Sequence, residues 1–389
     1  MQTFDVVIVG AGIVGASFAL ALKDAGLSVA LVEPHPPQPL AHDGSWDNRV
    51  YTVSPGNAAW LRGLDVWTKV PAERLTRVEA MFVFGDQDSA RLEFSAYDAG
   101  MRELAHVVEN RELQNALWDA LQSWPDVSLR VGARCAEVAW ERECARLVLE
   151  NGSVLTTRLI VGADGADSWV RAHAGIEEKV YDYRQRGVVA NFTIQRPHGG
   201  TAFQWFRGDG VLALLPLPGE RVSMVWSTSD VRSHELLASS PEALCEEVAR
   251  ASSHALGTLT LITKPAGFPL KRQHVKRLVE PRVALIGDAA HNVHPLAGQG
   301  VNLGLRDSRA LADVLIQRGA RADCGDYALL RRYERARKED IMALELTTDG
   351  LEKLFSSPAV WVARMRNSGL GLVDALAPVK HALVRRAVA

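Results

Sequence analysis

The chain has 389 residues, 47% of them hydrophobic and 23% charged, with a formal net charge of −2. This length suits two interlocked domains, and the near-neutral charge argues against nucleic acid as a partner. Four scattered cysteines favour reduced thiols over a disulfide framework or a zinc site. Neither a signal peptide nor an apolar run of membrane-spanning length is found, so we expect a cytoplasmic protein.

The N-terminus has the order of elements that binds a dinucleotide. A buried strand at residues 4–9 runs into the turn Gly10-Ala11-Gly12-Ile13-Val14-Gly15. A helix is predicted to follow as far as a C-cap at Gly26, and a second strand ends at Glu33. The glycine spacing alone is a weak signal, because a tight turn in any α/β unit would look the same. With strand, helix and acid in place, it predicts dinucleotide binding.

Each glycine of this turn has its own predicted role. Gly10 permits the turn, Gly12 lets the backbone approach a pyrophosphate, and Gly15 lets the helix pack closely on the strand. The helix N-terminus stabilises the phosphate charge, and Glu33 can accept a hydrogen bond from a ribose hydroxyl.

Three polar side chains in the next segments are candidates for contact with the cofactor. Arg49 could reach cofactor phosphates or close an active-site loop, and a plain surface arginine is the alternative. Asn110 is predicted to cap a helix whose first turn presents Arg111 and Gln114 on one face. A solvated helix face would show the same pair, so spacing alone leaves both readings open.

A second strand-to-helix turn lies in the middle of the chain. The buried strand at residues 158–161 ends in Gly162-Ala163-Asp164-Gly165, and a helix begins beyond Ser168. This could be an ordinary turn, or a second nucleotide-facing loop that Asp164 holds closed.

Residues 176–268 change character. Short strands rich in Phe, Trp and Val predict an antiparallel sheet inserted into the nucleotide domain, with one face free to wall a pocket. A polar helix is predicted from about Pro241 to Ala251. Plain core packing is the alternative for each candidate wall residue. These candidates are Phe203, Trp205, Leu215 and Trp226.

The stretch from Arg282 to Asp307 joins a buried strand, a loop and a helix at one place. The loop opens at Gly287, and the carboxylate of the next residue, Asp288, can accept hydrogen bonds from a ligand's polyol. Glycines at 298 and 300 remove side chains where a flat ring would rest, and the following helix points its positive end there.

Two histidines, His291 and His294, lie in the same stretch. Either could act as acid or base, or could brace the loop. Their spacing would suit a metal, but acidic ligands are lacking nearby, so we predict no metal site. The chain then ends in basic helices, and this tail could contact a membrane surface, a partner or its own body.

Three blocks stand in the order of a known family: VGAGIVGASFALAL with its downstream acid, GADGADSWVR, and LIGDAAHNVHPLAGQGVNLGLRD. Together they resemble the group A FAD-dependent aromatic monooxygenases, whose familiar fold is that of 4-hydroxybenzoate hydroxylase. The third block, with GVLALLPLPGERVSMVWS, FPL and RNSGL, is similar to the ubiquinone-biosynthesis hydroxylase family. The likeness covers nearly the whole chain.

The resemblance implies positions that hold FAD and its ring. Residues implied to contact the cofactor are Gly10, Gly12, Ile13, Val14, Gly15, Glu33, Arg49, Arg111, Gln114, Asp164, Gly287, Asp288, Gly300, Val301 and Asn302. Those implied to position the isoalloxazine are Pro295, Gly298, Gln299 and Gly300, with Pro295 also beside the substrate. No side-chain nucleophile is expected. The segment Tyr51-Thr52-Val53-Ser54 departs from the family's usual small, Ala-Leu-type sequence.

The implied architecture is α/β: a Rossmann-like FAD-binding domain with an inserted antiparallel-sheet substrate domain and C-terminal helices. The expected ranges are 1–70, 100–175 and 271–330 for the FAD-binding domain, 71–99 and 176–270 for the substrate domain, and 331–389 for the helical segment.

The implied chemistry is reduction of FAD by NADPH, NADH or an electron carrier, reaction with dioxygen, and oxygen transfer from a flavin hydroperoxide to a phenol ring. The leading hypothesis is hydroxylation of a hydrophobic, polyprenylated phenol on the ubiquinone pathway. Alternatives are hydroxylation of a small soluble aromatic acid, and a flavin-bearing scaffold subunit of a quinone-biosynthesis complex. A homodimer and a peripheral membrane contact through the tail are further expectations.

Overall fold

The computed structural model describes residues 2–40, 43–85, 91–292, 299–319 and 322–356. The predictions made for His294, Pro295, Gly298 and the tail beyond residue 356 therefore lie outside the described residues. Of Gln299 the backbone alone is described.

The described residues form the following strands and helices. The strands are β1 (Gln2–Val9), β2 (Val29–Glu33), β3 (Val50–Val53), β4 (Leu75–Val78), β5 (Ala80–Phe84), β6 (Arg91–Ser95), β7 (Ala105–Glu109), β8 (Ser128–Val131), β9 (Cys135–Trp140), β10 (Ala145–Leu149), β11 (Val154–Gly162), β12 (Glu178–Ile194), β13 (Thr201–Arg207), β14 (Gly210–Leu217), β15 (Arg221–Ser229), β16 (Leu259–Leu261), β17 (Ala266–Val275), β18 (Val279–Glu280), β19 (Val283–Leu285) and β20 (His291–Asn292). The helices are α1 (Ile13–Ala21), α2 (Pro55–Gly63), α3 (Asn110–Gln122), α4 (Trp169–His173), α5 (Asp230–Ala238), α6 (Pro241–Ala251), α7 (Gln299–Ile316) and α8 (Tyr327–Ser356).

An eight-stranded sheet is built around the N-terminal strand. Its path is β18-β19-β11-β1-β2-β8, and the pairs of β1 with β2 and with β11 are parallel. The side chains of residues 6–8 are fully buried, because helices cover both faces of a parallel sheet. Helix α1 ends at Ala21, earlier than predicted, and turns carry the chain to Gly26, whose φ of +64° suits a glycine.

A nine-stranded sheet carries most of the middle of the chain. Its path is β20-β17-β12-β15-β14-β13-β5-β6, and each of these neighbouring pairs is antiparallel except β13 with β5. The predicted antiparallel sheet is therefore confirmed in outline. Helix α6 occupies the predicted range, whereas α5 was not predicted. Both helices pack on one face of this sheet.

Two connections bring this sheet towards the nucleotide-binding sheet. Strand β17 pairs with β20, which follows Asp288 by three residues, so the second sheet borders the predicted flavin loop. The small sheet β3-β7-β4 packs Val50 and Val107 against Ala202 and Leu217 of the second sheet. Strand β17 runs across the boundary expected between residues 270 and 271. Strand β4, expected in the substrate domain, pairs with β7 of the expected FAD-binding domain, so the domain division stays a proposal.

Candidate active site

The N-terminal glycine turn has two glycines that pack against backbone and one that faces open space. At Gly10, where φ is +100°, an added Cβ would overlap the carbonyl of Ala163, and at Gly15 it would overlap the carbonyl of Gly10. At Gly12 an added Cβ would have no neighbour within 4 Å. The turn is thus closed against the protein on one side and open at Gly12, which leaves room for a phosphate to approach the backbone.

The first turn of α1 is free to bind an anion. Gly12 is its N-cap and supplies no side-chain hydrogen bond, and the first turn contains no acidic residue. Glu33, at the end of β2, accepts from the N–H of Ala11 at 2.6 Å and from the N–H of His35 at 2.8 Å. Its carboxylate therefore lies at the turn, and its contact with a ribose stays a prediction.

The second strand-to-helix loop is closed by Asp164. Its carboxylate accepts from the hydroxyl of Ser168 at 2.5 Å and from the N–H of Val170 at 3.0 Å. The same loop contributes Ala163, whose carbonyl lies against Gly10. Arg171, in the helix that follows, donates to the carbonyl of Ala289 at 3.0 Å. This loop is thus joined both to the glycine turn and to the loop of Asp288.

Asp288, Arg49 and Tyr51 come together from distant parts of the chain. The side chain of Asp288 is exposed, but desolvation by the protein around it raises the pKa of its carboxyl, while His291 and Arg49 oppose the rise. Burial also raises the pKa of Tyr51 to about 12, and the guanidinium of Arg49 lies 5.4 Å from the centre of its ring. Sequence reasoning noted Tyr51 only as a departure from the family pattern.

The loop after β19 is fastened to α7 and α8 through Asp307. The buried Asp307 carboxylate accepts from the N–H of Gly287 at 3.0 Å and from Nε of Arg337 at 2.7 Å, and one of its oxygens lies 2.6 Å from Nε2 of His291. Burial would lower the pKa of His291, but the charge and hydrogen bond of Asp307 raise it overall. His291 therefore braces the loop, which was one of its two predicted roles.

Two of the predicted cofactor residues make their side-chain contacts within the protein. The amide of Asn302 accepts from the N–H of Ser54 at 2.8 Å and donates to the carbonyl of Thr52 at 2.7 Å. The side chain of Val14 packs against Gly287 and Gly304. A Cβ added at Gly304 would lie 2.6 Å from a Val14 methyl group. Asn302 and Val14 therefore position α7, β3 and α1 relative to one another.

Arg111 fastens the segment that precedes β3 to helix α3. Its guanidinium donates to the hydroxyl and to the carbonyl of Ser45, and its backbone N–H donates to the Asp47 carboxylate at 3.3 Å. The prediction that Asn110 caps this helix is wrong. The N-cap is Glu109, because β7 runs directly into the helix, and Asn110 instead donates to Gln114 at 3.4 Å.

The aromatic wall candidates lie on the helix side of the nine-stranded sheet. Phe203, Trp205 and Trp226 belong to the core that α5 and α6 cover. Leu215 lies on the opposite face, where it packs near Trp46 and Val50. Three of the four candidates are therefore core, since the bulkiest residues fill the space between a sheet and its helices.

We call the opposite face of this sheet the inner face. Alternation along the strands places Val189, Gln204, Ala213, Leu215 and Val225 on it. It turns towards the nucleotide-binding part of the chain, where Asn191 donates to the carbonyl of Asp47 at 2.8 Å. Of the residues on this face, sequence reasoning named only Leu215, because the others are smaller than the aromatic residues beside them.

Two further features are absent from the residues that the structure describes. No three His, Cys, Asp or Glu side chains there lie close enough together to hold a metal ion. Over the same residues, no helix combines the length and the hydropathy that crossing a membrane requires.

Comparison with known proteins assigns the chain to a family. The family described as FAD binding domain matches residues 3–347. The chain is 34% identical to 3-demethoxyubiquinol 3-hydroxylase of Escherichia coli (strain K12), over 100% of this chain and 99% of that protein. The chain belongs to the FAD-dependent monooxygenases of the ubiquinone-hydroxylase family. The monooxygenase is also 34% identical to ubiquinone hydroxylase UbiL of Rhodospirillum rubrum, over 99% of this chain and 89% of that protein.

A solved structure confirms the fold of the monooxygenase. PqsL of Pseudomonas aeruginosa, in complex with 2-aminobenzoylacetate, superposes with a TM-score of 0.79 at 25% identity, covering 95% of this chain and all of that one. The expected α/β architecture of the 4-hydroxybenzoate hydroxylase type is therefore confirmed.

The residues at the site fit FAD. The open backbone at Gly12 and the uncapped start of α1 suit its pyrophosphate. The exposed carboxylate of Asp288 is an acceptor suited to the hydroxyl groups of the ribityl chain. We infer that the FAD lies between these two points, with Asp164 and Asp307 holding the loops that form them.

Proposed function

We propose that this monooxygenase hydroxylates the aromatic ring of a polyprenylated phenol intermediate of ubiquinone biosynthesis. The observation that carries the proposal is the apolar inner face, where Val189, Val225 and Ala213 stand side by side on neighbouring strands. Such a face suits a hydrophobic ring with a hydrocarbon chain. The relatives from Escherichia coli and Rhodospirillum rubrum, both named as hydroxylases of ubiquinone or its precursor, support the choice of substrate.

The chain itself would bind, orient and exclude water. FAD, when bound, supplies the activation of dioxygen for transfer to an electron-rich ring. The glycine turn and Asp288 would hold the cofactor, and the loop braced by His291 and Asp307 would fix one wall of the site. The inner face would hold the ring against the flavin in a space from which water is excluded. NADPH, NADH or an electron-carrier protein would supply the electrons.

Two measurements test this function. A strain lacking the gene should accumulate a quinone-pathway intermediate that lacks one hydroxyl group, as detected by mass spectrometry. Purified FAD-loaded protein, given reductant, dioxygen and a prenylated phenol, should yield a product heavier by one oxygen atom. An unchanged quinone profile together with no product would rule the proposal out.

The two alternatives make different predictions. A hydroxylase of small aromatic acids should oxidise NADPH faster when benzoates are added than when prenylated phenols are added. A flavin-bearing scaffold should still support quinone synthesis when Asp288→Ala has removed FAD without preventing folding. Loss of quinone synthesis in that variant would argue against a purely structural role.

We also propose that the basic tail gives the protein a peripheral membrane contact, or a contact with a quinone-biosynthesis complex, from the cytoplasmic side. Its cations include Lys380, Arg385 and Arg386, which suit an anionic lipid surface. Flotation of the full-length protein with anionic vesicles should weaken when these three become glutamine. Sedimentation equilibrium of the same samples would test the expected homodimer.

A further inference from the structure

Gln204 is a buried glutamine with no partner for its amide. It lies in the middle of β13 and is 5% exposed. Within the described part of the chain, no hydrogen bond joins its amide to another residue. The residue is almost wholly buried, yet its amide atoms keep some accessible surface. The amide can therefore take a partner that the folded chain itself does not supply, such as a polar group of a ligand.

The strand directs this side chain to the inner face. Its neighbours in sequence, Phe203 and Trp205, belong to the core under α5 and α6, and side chains alternate between the two faces of a strand. Gln204 stands opposite Ala213 on one neighbouring strand and Val83 on the other. The amide therefore points to the face on which we place the substrate.

The surroundings of Gln204 are apolar on both sides. Towards the sheet edge lies a small cluster formed by Val83, Leu92 and Phe206, with Met81, Phe94 and Val211 packed against it. Towards the three-stranded sheet lies a second cluster, which includes Ala202 and Leu217. A polar group that lies between two apolar clusters can fix the orientation of a ligand whose remaining surface is hydrocarbon.

Two other polar atoms of the inner face have no hydrogen-bond partner among the described residues, but they are inaccessible to solvent. Asn191 Oδ1 and Ser223 Oγ make no hydrogen bond, and both residues are fully buried. They stand opposite each other, one row away from Ala213 and Val225. The amide atoms of Gln204 differ from these two because they keep some accessible surface, so a ligand group can reach them.

We infer that Gln204 binds the ring hydroxyl of the phenol substrate, an inference that rests on the proposed function. The amide oxygen accepts a hydrogen bond from the neutral hydroxyl, and the amide N–H can donate to the same oxygen when the phenol ionises. The hydroxyl is the one strongly polar group of a prenylated phenol, so this contact sets which ring edge faces the flavin. The apolar cluster of Val83, Leu92 and Phe206 receives the hydrocarbon substituent.

A comparison of two ligands with two proteins tests this contact. Purified FAD-loaded protein is titrated with a short-chain prenylated phenol and with its methyl ether, which cannot donate, and binding is followed by the flavin absorbance. Wild type should bind the phenol about tenfold more tightly than the ether. In Gln204→Leu the affinity for the phenol should fall about tenfold, whereas the affinity for the ether should stay the same or rise.

The leucine variant should fold at least as well as wild type. It replaces an unpaired amide by an apolar side chain of similar size in apolar surroundings, so its melting temperature should stay level or rise. Phe206→Leu on the same face is the matched control, because trimming it should weaken both ligands by a similar factor. A Gln204→Leu protein that keeps the preference for the phenol, or that loses both ligands equally, would overturn the inference.

The inference and the proposed function can fail separately. If wild type discriminates between the ligands but never hydroxylates a prenylated phenol, the function falls and the hydroxyl contact stands. If wild type hydroxylates the phenol and Gln204→Leu binds both ligands as wild type does, only the role of Gln204 falls.

Discussion

At the scale of single residues, two glycines three positions apart in one turn serve different purposes. Gly15 is needed for folding, because any side chain there would overlap the backbone of Gly10. Gly12 has open space around its Cα and an ordinary negative φ, so the protein itself does not require glycine at this position. The requirement at Gly12 comes from the ligand.

Substitutions at these two glycines should therefore affect different properties: FAD affinity at Gly12, and the stability of the apoprotein at Gly15. Gly12→Ala should unfold at the same denaturant concentration as wild type in the absence of FAD, but bind FAD at least tenfold more weakly. Gly15→Ala should lower the stability of the apoprotein itself by several kcal/mol, as expected for backbone overlap in a packed core. Urea unfolding and flavin fluorescence titration measure the two effects. Equal losses of stability in both variants would contradict this account of Gly12.

At the scale of elements, one carboxylate holds a loop and two helices together. Asp307 on α7 accepts from the loop at Gly287 and from Arg337 on α8, and it contacts His291 on β20. The three partners come from different elements, so the position of the flavin loop depends on a buried, fully paired charge. Removing Asp307 would leave His291 without its hydrogen-bond partner and Arg337 with only the partly exposed Asp340, which costs far more than losing a surface ion pair.

Asp307→Asn should accordingly destabilise the protein by about 3–5 kcal/mol, because Arg337 would lose its buried counter-charge. The matched control is Asp313→Asn on the same helix, where the side chain is exposed and the change should be within about 0.5 kcal/mol. Urea unfolding of both apoproteins gives the comparison. A small effect at Asp307 would mean that the loop is held by other contacts.

The same group predicts how stability depends on pH. Although burial opposes it, Asp307 raises the pKa of His291 in the folded state above the ordinary value of 6.5. The stabilisation from protonated His291 is therefore fully present below about pH 6.5 and is lost as pH rises through the folded-state pKa. Unfolding free energies measured from pH 6 to pH 9 should show this decline in wild type. His291→Gln should lack it, and a parallel decline in both proteins would assign the effect to another group.

At the scale of the whole molecule, FAD is expected to link parts of the chain that are far apart in sequence. The glycine turn belongs to the eight-stranded sheet, whereas the loop after Asp288 leads through β20 into the nine-stranded sheet. A ligand that contacts both places stabilises the folded state in proportion to its occupancy.

FAD at one hundred times its dissociation constant should raise the free energy of unfolding by about 2.7 kcal/mol. In Asp288→Ala the same FAD concentration should give a smaller rise, because the ribityl contact is lost. Asp119→Ala on α3 is the control, since Asp119 is exposed and lies outside the proposed site. Thermal unfolding with and without FAD measures the effect, and equal stabilisation of all three proteins would remove Asp288 from the cofactor site.

Prediction from the sequence was strongest where local pattern and burial coincide. The turn at Gly10, the strand that ends at Glu33 and the helix from Pro241 all follow from spacing and apolar periodicity. It failed at Asn110, because the cap was assigned by residue type although β7 extends directly into α3. It was also incomplete at the wall of the site, where Phe203 and Trp205 were chosen for their bulk.

The sequence by itself determined the cofactor and the presence of an inserted antiparallel sheet, since both follow from patterns of residues near one another in the chain. Only the tertiary structure decided which face of the second sheet is the inner face and what lies on it. It also decided that Asn302 braces β3, that His291 pairs with Asp307, and that the amide of Gln204 has no hydrogen-bond partner among the described residues. These facts depend on which side chains of different elements come into contact. The spacing of residues along one strand or helix does not say which element will pack against it.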